Sequence, residues 1–491
     1  MRNLRKEIIG FVFAILLFLA SSVSRELVAQ TATSPQSTTT PQTSQSPQTQ
    51  GGPGQGQAGQ EEDRTPSATA LGSIFFRSRN SFIFSLGAGE STTDNLYFTP
   101  LSYIQYANPG STYQGYIPFT TLSGRAAYQR QTARTTFAFD YGATGMIFNQ
   151  AKTNGNFLIQ DGGLHVNYLI SPRWTLRAGS RVSISPIAGR IYTPDLVLPT
   201  LPQGVQPNNT IILGYGRSIA STSDLSLAYQ ITRRSTFAAT FYGNITRFSQ
   251  IGTFNMNQPS VDARYSYQFS ERTSLYWGYT FNYYDFESRE GIPSTITATG
   301  SSIFRTHYPY IGVTRQITSM ISGTVSTGPV FMVGTPIYYY GGQPGTNPGM
   351  RWGINGTITF SQPITLDPRT FVSINVGQNL NDGYGIGYLT LMDYAGGSLG
   401  RLLTRKLLLS FSGNYAHNRF LMNLAANGQP LSTDNIMAGS LLRFNTNEKL
   451  SFYAGYNFIQ QISEGFNGFI PGNGRANTFS VGVSYAFPVF F

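Results

Sequence analysis

The chain has no cysteine in its 491 residues, so it contains no disulfide scaffold, thiolate metal site or haem-attachment motif, and no N-terminal cysteine for a lipid. Charge is scarce too. Only 11% of residues are Asp, Glu, Lys or Arg, against about 25% in soluble globular proteins. The missing charge is not replaced by hydrophobicity, because 40% of residues are apolar and mean hydropathy is −0.15. Long apolar runs are absent as well. The longest, residues 8–20, spans 13 positions including Gly10, whereas a helical membrane protein needs repeated runs of about 20. What the chain does have is 53 glycines, 30 tyrosines and 35 phenylalanines, a mixture that suits apolar residues alternating with small polar ones.

The first 29 residues have the layout of a secretory signal. Arg2, Arg5 and Lys6 precede the apolar run 8–20, and small residues follow at Ala20–Ser22 and again at Ala29. Cleavage is expected after Ala29, with a cut near Ser22 as the alternative. An uncleaved anchor is disfavoured, because 13 apolar residues hardly cross a ~30 Å hydrocarbon layer. Removing residues 1–29 takes away four basic and two acidic groups, which lowers the net charge from +11 to +9. Residues 30–79 are built mainly from Thr, Ser, Pro, Gln and Gly without apolar periodicity. Such a segment buries too little surface to offset its chain entropy and reads as a disordered tether. Peptidoglycan or a periplasmic export partner is its candidate contact.

From residue 80 the rhythm changes to a strict period of two, the signature of strands with two unlike faces. Phe82, Phe84, Leu86 and Ala88 form one set, and Leu164, Val166, Tyr168 and Ile170 another. Val261 to Phe269, Leu275 to Tyr283 and Leu450 to Phe458 continue it. Strands of about 9–11 residues with one apolar face are sufficient for a tilted membrane crossing. Eight short polar connections separate them in pairs, at 129–134, 171–174, 232–235, 270–274, 316–320, 362–369, 403–406 and 445–449. Several share a form in which Ser or Thr is followed by Arg and then a β-former, as in 229–237 and 267–275. Longer Gly-, Pro-, Asn- and Tyr-rich segments alternate with them, among them 90–118, 186–210, 287–301, 334–349 and 419–433. Short turns at one end and long loops at the other are the wiring of an all-β, transmembrane antiparallel up-and-down β-barrel spanning residues 80–491. Eight turns give sixteen strands, and one more at each end gives eighteen. Sixteen is the competing count, because alternation is least clear around 302–313 and 383–402. A β-propeller would need four short strands per repeat where this chain shows two long ones.

The last strand carries a resemblance. Ser480, Gly482, Tyr485 and Phe487, followed by terminal Phe491, are similar to the insertion signal of Gram-negative outer-membrane β-barrels, here with four residues after Phe487. The resemblance implies an outer-membrane location, contact with outer-membrane lipid and lipopolysaccharide, and assembly by the barrel-assembly machinery. The short-turn form also resembles porin-type barrels found beside exopolysaccharide clusters.

No enzymatic constellation is visible. The three histidines, His165, His307 and His417, are far apart in sequence and none sits in a metal-ligand spacing. The serine that outer-membrane phospholipases carry two positions after histidine is absent after His417, where Asn418 and Arg419 follow. No cofactor is implied, and an exported chain without a binding fold gives its basic charge no nucleic-acid role. A plugged TonB-dependent transporter or an autotransporter would need segments that residues 30–79 do not supply. If the apolar face meets lipid, the opposite face places Arg125, Arg177, Arg181, Arg264 and Arg351, with Asp140 and Asp262, in the lumen. A ladder of arginines there attracts anions. The first expectation is therefore a porin-like channel for small hydrophilic, preferably anionic solutes. Export of an acidic exopolysaccharide and a plugged structural or adhesion barrel are the alternatives. Tyrosines such as Tyr97, Tyr103 and Tyr338–Tyr340 are read as interface belts ahead of a saccharide track.

Overall fold

The computed structural model describes residues 80–94, 116–148, 157–186, 217–249, 254–288, 301–317, 321–335, 349–360, 370–381, 389–420, 432–447, 449–464 and 474–490. Residues 1–79, which hold the expected signal and tether, lie outside the described residues, as does Phe491.

Eighteen strands run in chain order: β1 Asn80–Thr93, β2 Ile117–Gln131, β3 Thr135–Phe148, β4 Phe157–Ser171, β5 Trp174–Pro186, β6 Arg217–Gln230, β7 Ser235–Phe248, β8 Phe254–Ser270, β9 Thr273–Ser288, β10 Ser301–Gln316, β11 Ile321–Thr335, β12 Gly349–Phe360, β13 Thr370–Asn381, β14 Thr390–Leu402, β15 Leu407–Phe420, β16 Ser432–Asn445, β17 Leu450–Glu464 and β18 Gly474–Phe490. Each pairs antiparallel with its sequence neighbours, and β1 also pairs with β18, from Ser81 opposite Phe490 to Thr93 opposite Thr478. That last register closes the sheet into a barrel and leaves no free edge. The seam is tied on both faces. Phe84 and Phe487 stack outside at 6.1 Å between centroids, and Ser91 Oγ donates to Ser480 Oγ at 2.9 Å inside.

The strands around the two weakly patterned regions are present as β10 and β14, so the count is eighteen and the sixteen-strand alternative falls away. The reason for the blurred pattern is chemical. In β10 the bulky rings Phe304, Tyr308 and Tyr310 are buried on the inner side while Arg305 and Ile311 are exposed outside, which inverts the usual polarity. At 12–17 residues the strands are also longer than a membrane crossing requires. With a rise of about 3.3 Å per residue and a tilt of about 40°, a 14-residue strand spans roughly 35 Å, more than the ~25 Å apolar band of such barrels. Strand ends therefore project into both interfaces.

The two faces differ as the alternation requires. Phe84, Leu122, Leu225, Phe241, Trp277, Val325, Phe411 and Val481 are exposed large apolar groups on one side of the wall. Ser85, Ser123, Thr240, Asn282, Ser410 and Thr478 are buried on the other. In a monomeric aqueous protein an apolar outer wall of this extent would be an aggregation hazard. Facing hydrocarbon, it is the solvated surface, and the closed ladder satisfies the backbone polar groups that lipid cannot.

All eight short connections fall between consecutive strands at one rim, the rim that also holds both chain ends of the barrel. Six of them share one local device. A Ser, Thr or Asn side chain accepts the backbone N–H of the residue two positions later, and that residue is basic. Thr132 Oγ1 accepts from Arg134, Ser171 Oγ from Arg173, Thr232 Oγ1 from Arg234, Ser270 Oγ from Arg272, Thr404 Oγ1 from Lys406 and Asn447 Oδ1 from Lys449, at 2.9–3.3 Å. These are the turns that short oxygen-bearing side chains form with their own backbone. The carbonyl of the same basic residue then accepts from the next strand along the barrel: Leu169, Gln230, Gln268, Gln316, Asn445 and Ala486 donate in turn at 2.7–2.8 Å. Each turn tip is thus pinned to its own hairpin and to the adjacent one.

Candidate lumen site

The residues expected in the lumen separate into two groups with different surroundings. On β2–β5, Arg125 Nη2 donates to Asp140 Oδ2 at 2.7 Å, and Arg181 Nη2 approaches the same oxygen at 3.6 Å while also pairing with Asp161. Each of four neighbouring strands supplies one charge, with the two carboxylates on β3 and β4 flanked by the arginines on β2 and β5. Their side chains keep between 12% and 30% of their accessible surface, so the lattice faces open space.

The carboxylates reach across strands because glycine stands opposite each of them. Asp140 is paired with Gly163 on β4, and Gly163 is itself paired with Arg181 on β5. A Cβ at Gly163 would meet the Asp140 carboxylate at 2.8 Å and the Arg181 guanidinium at 3.7 Å. The bare backbone lets the acidic group lie flat and meet an arginine one strand further on. Arg177 and His165 share this inner face by register, Arg177 lying diagonal to Asp224, which faces Gly179.

Across β8–β10 the environment is closed. Asp262 and Arg264 are 1% and 2% exposed. Thr280 Oγ1 and Tyr310 Oη both donate to Asp262 Oδ1, at 2.7 and 3.0 Å. Arg264 Nε donates to Ser266 Oγ at 3.2 Å, and its Cζ stands 3.7 Å from the centre of the Tyr276 ring. Two glycines make room for the rings: Tyr310 covers Gly278 on β9, and Tyr276 covers Gly312 on β10. Asp262 and Arg264 therefore belong to the packing of the wall. The anion-attracting ladder expected from five arginines is, at the described residues, a partnered lattice on β2–β5 and a buried pair on β8.

Arg351 occupies the β12 position opposite Val330, and its side chain is outside the described residues. Three lumen charges were missed by the sequence reading: Asp161, Asp224 and Arg443. Asp224 stands before outward Leu225 and Arg443 between outward Leu442 and Phe444, so the same parity rule would have found these two, whereas Asp161 is flanked by Gln160 and Gly162 and carries no such signal. Counting them, the described lumen wall holds Arg125, Arg177, Arg181, Arg264 and Arg443 against Asp140, Asp161, Asp224 and Asp262, nearly balanced.

The histidines lie on different faces. His165 is on the inner wall, as expected. His307 is outside, with Nδ1 2.6 Å from Tyr279 Oη. His417 is also outside, near the loop rim, with Nδ1 2.8 Å from Asp434 Oδ1, which also accepts from Tyr415 Oη at 2.7 Å. Among the described residues no group of three or more His, Asp or Glu could hold a metal ion.

At the C-terminal strand, Ser480 faces inward on Ser91, Gly482 lies beneath the Tyr453 ring, and Tyr485 and Phe487 point outward with ring centroids 4.4 Å apart.

Fold and wall chemistry together define a transmembrane β-barrel of the outer-membrane type. No family model matches the sequence, and no curated protein does. Among solved structures the chain is similar to a variant of the ferric enterobactin receptor PfeA of Pseudomonas aeruginosa (TM-score 0.40, 10% identity, 82% of this chain and 80% of that one). It is also similar to the siderophore receptor PirA of Acinetobacter baumannii (0.39, 7%, 84% and 81%) and to OccAB4 of the same organism (0.39, 10%, 84% and 99%). Likeness at these scores and identities carries nothing about solute or mechanism, and the barrel assignment rests on the strand register itself.

Proposed function

We propose that the protein is a porin-like channel of the Gram-negative outer membrane, passing small hydrophilic solutes with a modest preference for anions. The observation that carries this reading is the Arg125–Asp140–Arg181–Asp161 lattice. It is a set of partly accessible charges on the inner face of a closed barrel whose outer face is apolar. Barrels of eighteen strands are wide enough to leave an aqueous lumen, and lumen side chains set selectivity. Five arginines against four aspartates on the described inner wall keep the anion preference modest. The test is single-channel conductance with a reversal potential across a salt gradient in a planar bilayer. Steady open steps with a reversal potential of anionic sign support the proposal. Absence of conductance from protein that still shifts on a gel after boiling refutes it and leaves the filled structural barrel.

A further inference from the structure

The short-turn rim carries a charge that the channel reading does not use. The six turn-tip residues Arg134, Arg173, Arg234, Arg272, Lys406 and Lys449 are all exposed. Five more exposed basic residues stand beside them, at Arg130, Arg233, Arg315, Arg401 and Arg405. Glu271 is the acidic counterpart among the described residues of this rim. Among the described residues, none of the six turn-tip side chains forms a hydrogen bond or ion pair; their backbones alone are engaged. The loop rim differs. It bears both signs, and two of its arginines are occupied: Arg419 on Asp393, and Arg247 on Asn257, which also bonds Glu287.

We propose that this rim is a collar for anionic phospholipid headgroups of the leaflet on the short-turn side. Three observations place the ligand at a membrane surface. First, the collar lies immediately beyond the outward apolar band, where the Trp174–Tyr229 stack at 4.5 Å sits next to Arg173, the position of an interfacial aromatic belt. Second, Arg130, Arg315 and Arg401 occupy outward positions on the wall itself, opposite Phe137, Thr273 and Leu409 respectively, so part of the charge is directed at the surrounding bilayer. Third, the spacing is built in. Hairpins recur every two strands, about 10 Å around the rim, close to one Debye length at 0.1 M salt, so the four turn tips between β2 and β9 act as one positive band and the two between β14 and β17 as another. The Ser, Thr or Asn two positions earlier and the cross-hairpin carbonyl bond fix where each basic residue stands, which makes each band a property of the turn chemistry. Basic residues at that height attract anionic lipid surfaces. The proposal requires only that the barrel is embedded in a bilayer; it is independent of what crosses the lumen.

The test uses the full-length barrel reconstituted in phosphatidylcholine vesicles, with spin-labelled phosphatidylglycerol or phosphatidylcholine as probe. Electron spin resonance then reads the relative association of each lipid with the protein. The expected result is a preference for phosphatidylglycerol on the order of fivefold at low salt, the size that one basic residue near an anionic surface supplies. It should fall toward parity at 1 M salt, where screening acts within about 3 Å. Changing all six turn-tip residues to Gln should reduce it, with Arg130, Arg233, Arg315, Arg401 and Arg405 keeping the remainder, whereas Arg217→Gln, Arg247→Gln and Arg305→Gln at the loop rim should leave it. Equal association of the two lipids with the native protein overturns the proposal, and so does loss of preference only in the loop-rim variant. Binding of soluble peptidoglycan fragments that depends on the collar, without lipid preference, overturns it in favour of a periplasmic polymer. If the six-residue variant fails to fold, Arg134→Gln, Arg234→Gln and Lys406→Gln together, with the salt titration of native protein, decide the question. Conductance of the variants separates this outcome from failure of the channel reading.

Discussion

Arg264 stands over the ring of Tyr276 with its guanidinium carbon 3.7 Å from the ring centre, while both side chains are almost fully enclosed. A charge that the sequence placed in an open lumen is in fact seated on an aromatic face within the wall. A desolvated contact of this kind is worth about 2 kcal/mol. Tyr276→Leu is therefore expected to lower the barrel's stability by about that amount with little change in ion selectivity. Heat-modifiability midpoints on a detergent gel and reversal potentials measure the two separately. A change in selectivity as large as that of the β3 variant below would show that Arg264 does face the conduction path.

Asp140 neutralises two arginines from two directions. Asp140→Asn should leave Arg125 and Arg181 less compensated and shift the reversal potential toward stronger anion preference. Arg125→Gln with Arg181→Gln should shift it the other way. Planar-bilayer recordings under a salt gradient check both, and shifts of equal sign would remove the lattice from any role in selectivity.

Gly278 holds open the space that the Tyr310 ring fills. Gly278→Val forces ring and strand apart, and overpacking of this kind costs about 1–3 kcal/mol. Unfolding should occur at lower temperature or denaturant, and Tyr310→Ala on the same chain should recover part of the loss. If the double variant is no better than the single one, the strain lies in the β9 backbone and not in the ring contact.

Leu225 is 50% exposed in the middle of β6 and points away from Asp224. Facing lipid, Leu225→Arg should destabilise by about 2–4 kcal/mol, the penalty for a cation near the bilayer midplane. Urea titration of the protein in vesicles measures it. A negligible effect would mean that this face of β6 is wet, contrary to the barrel's orientation.

Thr404 Oγ1 accepts two backbone N–H groups, from Lys406 and Leu407. Thr404→Ala should cost about 0.5–1 kcal/mol, since exposed amides regain water. Lys406→Gln should cost nothing measurable in the same titration, because the lysine contributes its backbone and not its side chain to the turn.

The period-two alternation, the eight short connections and the turn-forming Ser, Thr and Asn residues are local properties. A strand presents successive side chains to opposite faces whatever its neighbours are, so parity alone assigned Arg125, Asp140 and Arg181 to the inner wall and Phe84 or Trp277 to the outer one. It was weakest at β10, where Tyr308 and Tyr310 put aromatic bulk on the inner side. What parity cannot supply is adjacency between strands. Whether β1 meets β18, which residue lies opposite Gly163, and whether Arg264 is exposed or enclosed depend on the register between strands and on closure of the sheet. The tertiary structure therefore decided which charges are partnered, which are buried and which remain free at the rim, because electrostatic energy falls with separation and only the closed sheet sets the separations.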